Sequence, residues 1–285
     1  MKILFVGGGN MAQAIVGGLI AQNFPLGNLC VVEPLQTARA AVSALGINAF
    51  ASLTAELIDC DAIVLAVKPQ MMNVAISRLK ATLTSQVVIS IAAGITTSSL
   101  AVWLGHVATP YENIVRAMPN TPALIRAGIT GLYAASGVNA EGHRIAESLL
   151  GAVGTTVWFD NEAMLDAVTA VSGSGPAYVF YFIEALEQAA LELGFDQETA
   201  RLFAGQTFLG GAQLAASTNE SPSALRARVT SKRGTTECAI ETFDRHALKL
   251  AFIDGVKAAC NRSRELGKEL GTLSAAPLDI AGSAV

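Results

Sequence analysis

Residues 2–15 read KILFVGGGNMAQAI: an apolar run, three consecutive glycines, then a stretch with helical character. Set against the dinucleotide fingerprint G-x-G-x-x-G/A, Gly7, Gly9 and Ala12 take the three small positions. The first glycine makes the tight turn after a strand, and the second lets a pyrophosphate approach the backbone. The small third residue lets helix and strand pack closely. A phosphate would then meet the free N–H groups of the helix start, where the helix dipole favours negative charge. Alone, the pattern is also compatible with a purely structural glycine turn. Here it follows a strand-like run at once and opens a helix.

Outward from this loop, apolar runs recur at 29–32, 62–67, 87–92, 113–118, 130–135 and 155–159. Helical patterns at 10–22, 36–45, 70–80 and 140–150 separate most of them. Strands that are apolar throughout, alternating with helices, predict a parallel sheet covered on both faces and wound with right-handed crossovers. After Asp160 the strand pattern stops, and 162–171, 176–193, 196–216 and 237–266 carry helical periodicity. The expected fold is therefore α/β: a Rossmann-type doubly wound sheet over 1–161, then an all-α domain over 162–285. Helix 176–193 is apolar round most of its circumference as far as Glu184, which suits a helix buried between subunits. The tail 271–285 has no periodicity and is expected to fray.

The second apolar run ends in Glu33, 24 positions after Gly9. A carboxylate there suits a hydrogen bond to the adenosine ribose 2′-OH and repels a 2′-phosphate, which favours NAD(H). Arg39, six residues on, could still reach a phosphate from the next helix; a solvated strand-end carboxylate is the plainer alternative.

Composition narrows the remaining classes. The chain has 285 residues, 52% of them hydrophobic and only 15% charged, so it needs a large buried area and a subunit interface is expected. A net charge of −4 speaks against nucleic acid, whose binding needs a basic face. The most membrane-like window, 164–183, carries Asp166 and is interrupted by SGSGP, which argues against a spanning helix. Gly7, Gly8, Gly9, Asn10 and Gln13 break what would be the apolar region of a signal peptide. Four scattered cysteines read as buried free thiols in a reducing, cytoplasmic setting, and the three histidines show no metal-ligand spacing.

A bound nicotinamide leaves the protein to supply position and charge. Alcohol and ketone chemistry generally needs a protein acid or base, yet there is no lysine between Lys80 and Lys232. His143 sits on a polar helix face of the first domain, and His106 and His246 have no paired acid beside them in sequence. A C=N bond demands less, because an imine is basic enough to be partly protonated near neutrality. The missing dyad thus tilts the reading towards an imine substrate.

Six ordered motifs carry a resemblance that runs nearly end to end: FVGGGNMAQAI (5–15), LAVKP (65–69), SIAAGIT (90–96), RAMPNTPA (116–123), DAVTAVSGSGPAYVF (166–180) and VTSKRGTTECAI (229–240). With these the chain resembles the pyrroline-5-carboxylate reductases, which perform the last step of proline biosynthesis. The resemblance implies NAD(P)H-dependent reduction of the cyclic imine 1-pyrroline-5-carboxylate. It also implies a helical domain that interlocks with a second subunit, dimers that assemble further, often into decamers, and an active site to which the partner contributes. Gly9, Asn10 and Met11 look like pyrophosphate contacts; Ala66, Val67, Lys68 and Pro69 look like the turn under the nicotinamide ribose, with Ala92 and Ala93 beside it. Asn120 belongs to a segment that flanks the nicotinamide in the family, although a plain Pro-Asn turn reads equally well. Glu162 opens a helix, where a carboxylate suits the dipole, and by its matching position is a candidate substrate contact.

The row Ser231, Gly234, Thr235, Thr236 precedes a periodic helix and could receive the substrate carboxylate on N–H groups and hydroxyls. Thr236 matches the family's proposed proton donor; a threonine hydroxyl is a poor acid, so orienting the iminium or relaying a water proton fits better. This chain departs from the family pattern twice. Arg233 stands where a glycine is usual, and would be strained if that position has positive φ. Glu33 stands where many members have a neutral or basic residue and use NADPH. A β-hydroxyacid dehydrogenase would place a catalytic lysine early in the helical domain, and none is present. A non-catalytic NAD(P) sensor would not need the 229–236 row.

Overall fold

The computed structural model describes residues 1–80 and 82–273. Eight strands form one sheet: β1 Ile3–Val6, β2 Leu29–Val32, β3 Asn48–Phe50, β4 Ala62–Leu65, β5 Val87–Ser90, β6 Ile114–Met118, β7 Gly128–Ala134 and β8 Gly154–Trp158. Their order is β3-β2-β1-β4-β5-β6-β7-β8. Neighbours pair in parallel from β3 to β6, as the apolar runs predict. The all-parallel expectation fails at one place: β6 and β7 are antiparallel. The chain between them is a short 3-10 turn at Thr121–Ile125, too short for the helical crossover that parallel pairing requires. β3 escaped sequence reading because none of its residues is buried, so it has no apolar run to notice.

Helices α1 Asn10–Ala21, α2 Gln36–Ser43, α3 Met72–Ile76, α4 Thr97–Leu104 and α5 Ala140–Gly151 flank the sheet. Alternation along the strands divides the core in two. Ile3, Phe5, Val31 and Ile89 face Ile15, Leu19 and Leu149 on one side. Leu4, Val6, Ile63 and Val88 face Met72, Ile76 and Leu100 on the other. Fully burying such side chains stabilises by roughly 1.5–3 kcal/mol each. The helix expected over 70–80 contracts to α3 behind a 3-10 turn at Pro69–Met71.

The chain divides into two compact units, Met1–Gly173 with Ala259 onward, and Ser174–Ala258. This division by compactness falls at 173/174, whereas strands give way to helices between Trp158 and Met164. Residues 162–173 form helix α6 Met164–Val168 and a π-turn Thr169–Gly173, whose Leu165 and Ala170 are fully buried. Val168 also lies against Gly131 of β7, so this segment packs on the sheet.

The second unit contains α7 Gly175–Glu192, α8 Gln197–Ala216, α9 Pro222–Arg228, α10 Thr235–Arg245 and the start of α11 Leu248–Leu273. Gly194 (φ 98°) turns the chain out of α7, and Asp196 caps α8 by accepting from Thr199 N. The single helix expected over 237–266 is broken at Ala247, which takes φ 52°; the apolar stripe continues across the break and conceals it. Val179, Phe180 and Tyr181 of α7 and Leu202, Phe203 and Leu209 of α8 are exposed. So much exposed apolar surface marks an association face. Of the tail 271–285, the residues beyond Leu273 lie outside the described residues. Among the described residues no helix is long and apolar enough to cross a membrane.

Candidate active site

Val6 leads into Gly7, whose φ is 105° and whose N–H donates to Val32 O at 2.8 Å. A Cβ at this position would stand 2.6 Å from Ala66 O. Glycine is therefore required twice over, by its dihedral and by the approach of the β4 turn. Gly8 N donates to Glu33 Oε2 at 2.8 Å, and Gln13 Nε2 donates to Gly8 O at 2.8 Å. Gly9 is the N-cap of α1, extended at φ −71° and ψ −177°, with no side-chain cap. A Cβ built on it meets nothing within 4 Å. The N–H groups of Asn10, Met11 and Ala12 have no acceptor among the described residues. An uncapped helix start under an open, side-chain-free surface fits a pyrophosphate.

The turn Ala66–Pro69 follows β4, with Ala66 N bonded to Val6 O at 2.8 Å, so it sits against the glycine loop. Lys68 is exposed, and Pro69 starts the 3-10 turn. Ala92 is buried and Ala93 half-buried in the loop after the neighbouring strand β5. Gly7, Ala66 and Ala92 thus lie at the carboxyl ends of three adjacent parallel strands, where doubly wound folds bind dinucleotides.

Three predicted polar contacts prove to be engaged by the protein itself. Glu33 is 8% exposed; besides Gly8 N, its Oε1 accepts from Leu35 N at 2.8 Å, while Arg39 Nη1 donates to the carbonyls of Glu33 and Pro34 at 2.7 and 2.9 Å. Asn120 is also 8% exposed, donating to Ser172 O at 3.1 Å and accepting from Ile129 N at 2.9 Å. It holds the π-turn against the start of β7. Glu162 accepts from Thr97 N at 2.7 Å, Thr97 Oγ1 at 2.8 Å and Arg116 Nη1 at 3.1 Å. Arg116 and Thr97 were not found from sequence. The signal available was a charged residue inside the apolar strand NIVRAM (113–118).

In the second unit, Ser231, Gly234, Thr235 and Thr236 gather at the start of α10. Gly234 is its N-cap at φ −88° and ψ 170°, with no side-chain cap. Gly234 N turns back to Ser231 O at 3.0 Å, and Arg233 N donates to Glu237 Oε2 at 2.5 Å. Arg233 has φ 59°, so the left-handed conformation suspected from its substitution for glycine is present. The hydroxyls and N–H groups of Thr235 and Thr236 find no partner among the described residues.

The cysteines are free, but they are not the fully buried thiols expected: Cys30, Cys60 and Cys260 are half-buried and Cys238 is exposed on α10. Burial, reinforced by Asp61 and Asp59, pushes the Cys60 thiol up to about 12, which removes it as a nucleophile near neutrality. No group of residues suited to holding a metal ion occurs among the described residues.

Residues 162–266 match the family described as pyrroline-5-carboxylate reductase dimerisation, and residues 2–94 match NADP oxidoreductase coenzyme F420-dependent. The pyrroline-5-carboxylate reductase of Pseudomonas aeruginosa is 44% identical over 272 residues, covering 95% of this chain and 98% of that protein. The structure of the Coxiella burnetii pyrroline-5-carboxylate reductase superposes with a TM-score of 0.84 at 41% identity, covering 93% and 98% of the two chains. That of the Plasmodium falciparum pyrroline carboxylate reductase with NADP bound gives 0.82 at 28%, covering 94% and 98%. A glycine loop at the β1 turn, an uncapped threonine-bearing helix start and near full-length identity converge on one assignment: the chain belongs to the pyrroline-5-carboxylate reductase family.

Proposed function

We propose that this chain reduces 1-pyrroline-5-carboxylate to L-proline with NAD(P)H, completing proline biosynthesis in the cytoplasm. One observation carries the substrate assignment. The start of α10 combines a glycine cap with two N–H groups and two hydroxyls that have no partner among the described residues. A small anion with one carboxylate suits such a receptor. Glu237, which would otherwise repel it, is turned onto Arg233 N, and the cationic side chains of Lys232 and Arg233 flank the row.

The N–H groups of Asn10 and Met11 would hold the cofactor's pyrophosphate, with Ala66–Pro69 and Ala92–Ala93 serving the nicotinamide half and Glu33 and Arg39 the adenosine end. When bound, the dihydronicotinamide supplies the hydride that adds to the imine carbon. The protein's part is positional and electrostatic. The α10 start fixes the substrate carboxylate, and the Thr236 hydroxyl orients the ring nitrogen and passes it a proton from water. Overall one imine, one NAD(P)H and one proton become proline and NAD(P)⁺. The helical unit pairs with a second copy through the apolar faces of α7 and α8, and the dimers assemble into a decamer. Nucleic acid and membrane play no part.

The test is oxidation of NADH and NADPH by the purified protein on addition of the imine, with proline identified as product. Simple 2-keto and 3-hydroxy acids should give no turnover. Unchanged absorbance with the imine at high protein concentration overturns the proposal.

A further inference from the structure

One buried charge cluster has no place in the chemistry above. Arg116 on β6 is 3% exposed, and a buried guanidinium is tolerated only where carboxylates and hydrogen bonds compensate it. Glu162 Oε1 lies 3.1 Å and Asp166 Oδ1 3.6 Å from it. Two carboxylates against one cation leave an excess of negative charge, and neutral donors meet it. Ser263 Oγ of α11, 5% exposed, donates to Asp166 Oδ1 at 2.9 Å. Thr97 gives Glu162 both its N–H and its hydroxyl. Thr97 is the first residue of α4, so this N–H is one of the donors a helix start leaves open. Glu162 therefore caps α4 from 65 residues away, with the helix dipole in its favour.

The loop that enters α4 is held from a second side. Gly94 has φ 79°, and a Cβ on Gly267 of α11 would approach Gly94 O to 2.8 Å. Leu270 shares an apolar cluster with Ala92 and Ile95. Residues 92–96 are thus clamped between Glu162 at one end and α11 behind. They lie at the carboxyl end of β5, on the opposite side of β1 from β2 and Glu33. A dinucleotide whose adenosine lies at β2 places its nicotinamide half there.

We infer that Glu162 is a positioning residue: through Thr97 it fixes the 92–96 loop against the nicotinamide half of the cofactor, and it does not touch the imine. The inference rests on the dinucleotide and reductase reading above. Three hydrogen bonds from Thr97 and Arg116 already orient the Glu162 carboxylate towards α4 and β6, which is the observation that favours a positioning role over substrate contact.

The test compares Glu162→Gln, Thr97→Val and Thr97→Ser, each checked for an intact thermal transition. NADH and NADPH dissociation constants come from fluorescence titration, and kcat and the KM for the imine from turnover. A displacement of the loop should lower kcat roughly ten- to a hundredfold and weaken cofactor binding several-fold in Glu162→Gln and Thr97→Val. The KM for the imine should stay within about twofold, because uniform substrate binding is untouched. The double variant should be no worse than the poorer single one, and Thr97→Ser should restore function. Thr97→Val, nearly isosteric, keeps the test open should Glu162→Gln fail to fold. An imine KM raised by about tenfold in Glu162→Gln alone would put that carboxylate on the substrate and overturn the inference. Unchanged kcat and cofactor affinity in both variants would also overturn it. If the wild type does not turn over the imine, the reductase reading fails by itself, and the cofactor titrations still decide this point.

Discussion

The starts of α1 and α10 are built alike. Each has an extended glycine cap, Gly9 or Gly234, and neither has a side-chain cap. In each, the residue before the cap donates its N–H to a glutamate: Gly8 to Glu33, and Arg233 to Glu237. The differences lie in what surrounds this common device. At α1 the loop is wedged against Ala66, and the residues after the cap are Asn10 and Met11, whose N–H groups have no acceptor among the described residues. At α10 the loop is exposed, and the residues after the cap are two threonines whose hydroxyls have no partner among the described residues. The first arrangement suits a diphosphate, which needs close backbone approach and little else. The second suits a small carboxylate beside a nitrogen that must be oriented and protonated. On the function proposed above, one way of presenting open N–H groups serves two different ligands according to the side chains next to it.

The largest effect should come from the wedged loop. Gly7→Ala puts a Cβ 2.6 Å from Ala66 O on a residue at φ 105°. We expect a loss of about 3 kcal/mol or more in stability and no measurable NAD(P)H binding. Gly9→Ala, which meets open space, should fold normally and weaken only cofactor binding. Thermal denaturation with cofactor titration separates the two, and equal stability losses would refute the wedge.

Next in size is Thr236→Ala, for which kcat/KM should fall roughly ten- to a thousandfold, as when one oriented donor is lost. At the matching position of α1, Met11→Leu should change it by less than about threefold. Comparable losses at both positions would erase the distinction between backbone and hydroxyl recognition.

A smaller change is expected at the bracing glutamates. Glu33→Ser should raise the NADPH-to-NADH preference by a few-fold to about tenfold, since it removes a charge from the 2′ end. Two backbone N–H groups also lose their acceptor, at a cost of roughly 1–2 kcal/mol. Steady-state kinetics with both cofactors check the first effect; an unchanged preference would assign Glu33 to bracing alone. Smallest is Arg233→Gly. Relief of the left-handed conformation, partly offset by glycine's chain entropy, should raise stability by roughly 0.5–1 kcal/mol. The KM for the imine should rise about two- to fivefold at low salt and converge with wild type at high salt, as for a lost exposed charge. A KM independent of this residue at every ionic strength would make Arg233 a source of strain only.

Much of this was legible in the amino-acid sequence because the signals are local. The glycine loop follows an apolar strand at once, and the Thr-Ser-Lys-Arg-Gly-Thr-Thr row interrupts an apolar chain. Even the conformation of Arg233 could be anticipated from its substitution for a glycine. What stayed hidden depends on distance or on breaks that leave periodicity intact. β3 has no buried residue, the reversal at β7 sits inside a short turn between two apolar runs, and the break at Ala247 does not disturb the apolar stripe. The Arg116 cluster joins residues 46, 65 and 97 positions apart, which no local spacing reveals. For the same reason the inward engagement of Glu33 and Asn120 could not be read from their places in motifs.

The central claim is that the α10 start receives the substrate carboxylate, and deleting that carboxylate tests it most directly. The measurement is kcat/KM for 1-pyrroline-5-carboxylate against 1-pyrroline, in the wild type and in Thr235→Val/Thr236→Val. The account predicts a wild-type preference of roughly a thousandfold or more, because a site built for a polar group rejects the analogue that lacks it, and a sharply reduced preference in the variant. A wild type that reduces both imines equally well, or a preference that survives in the variant, would contradict it.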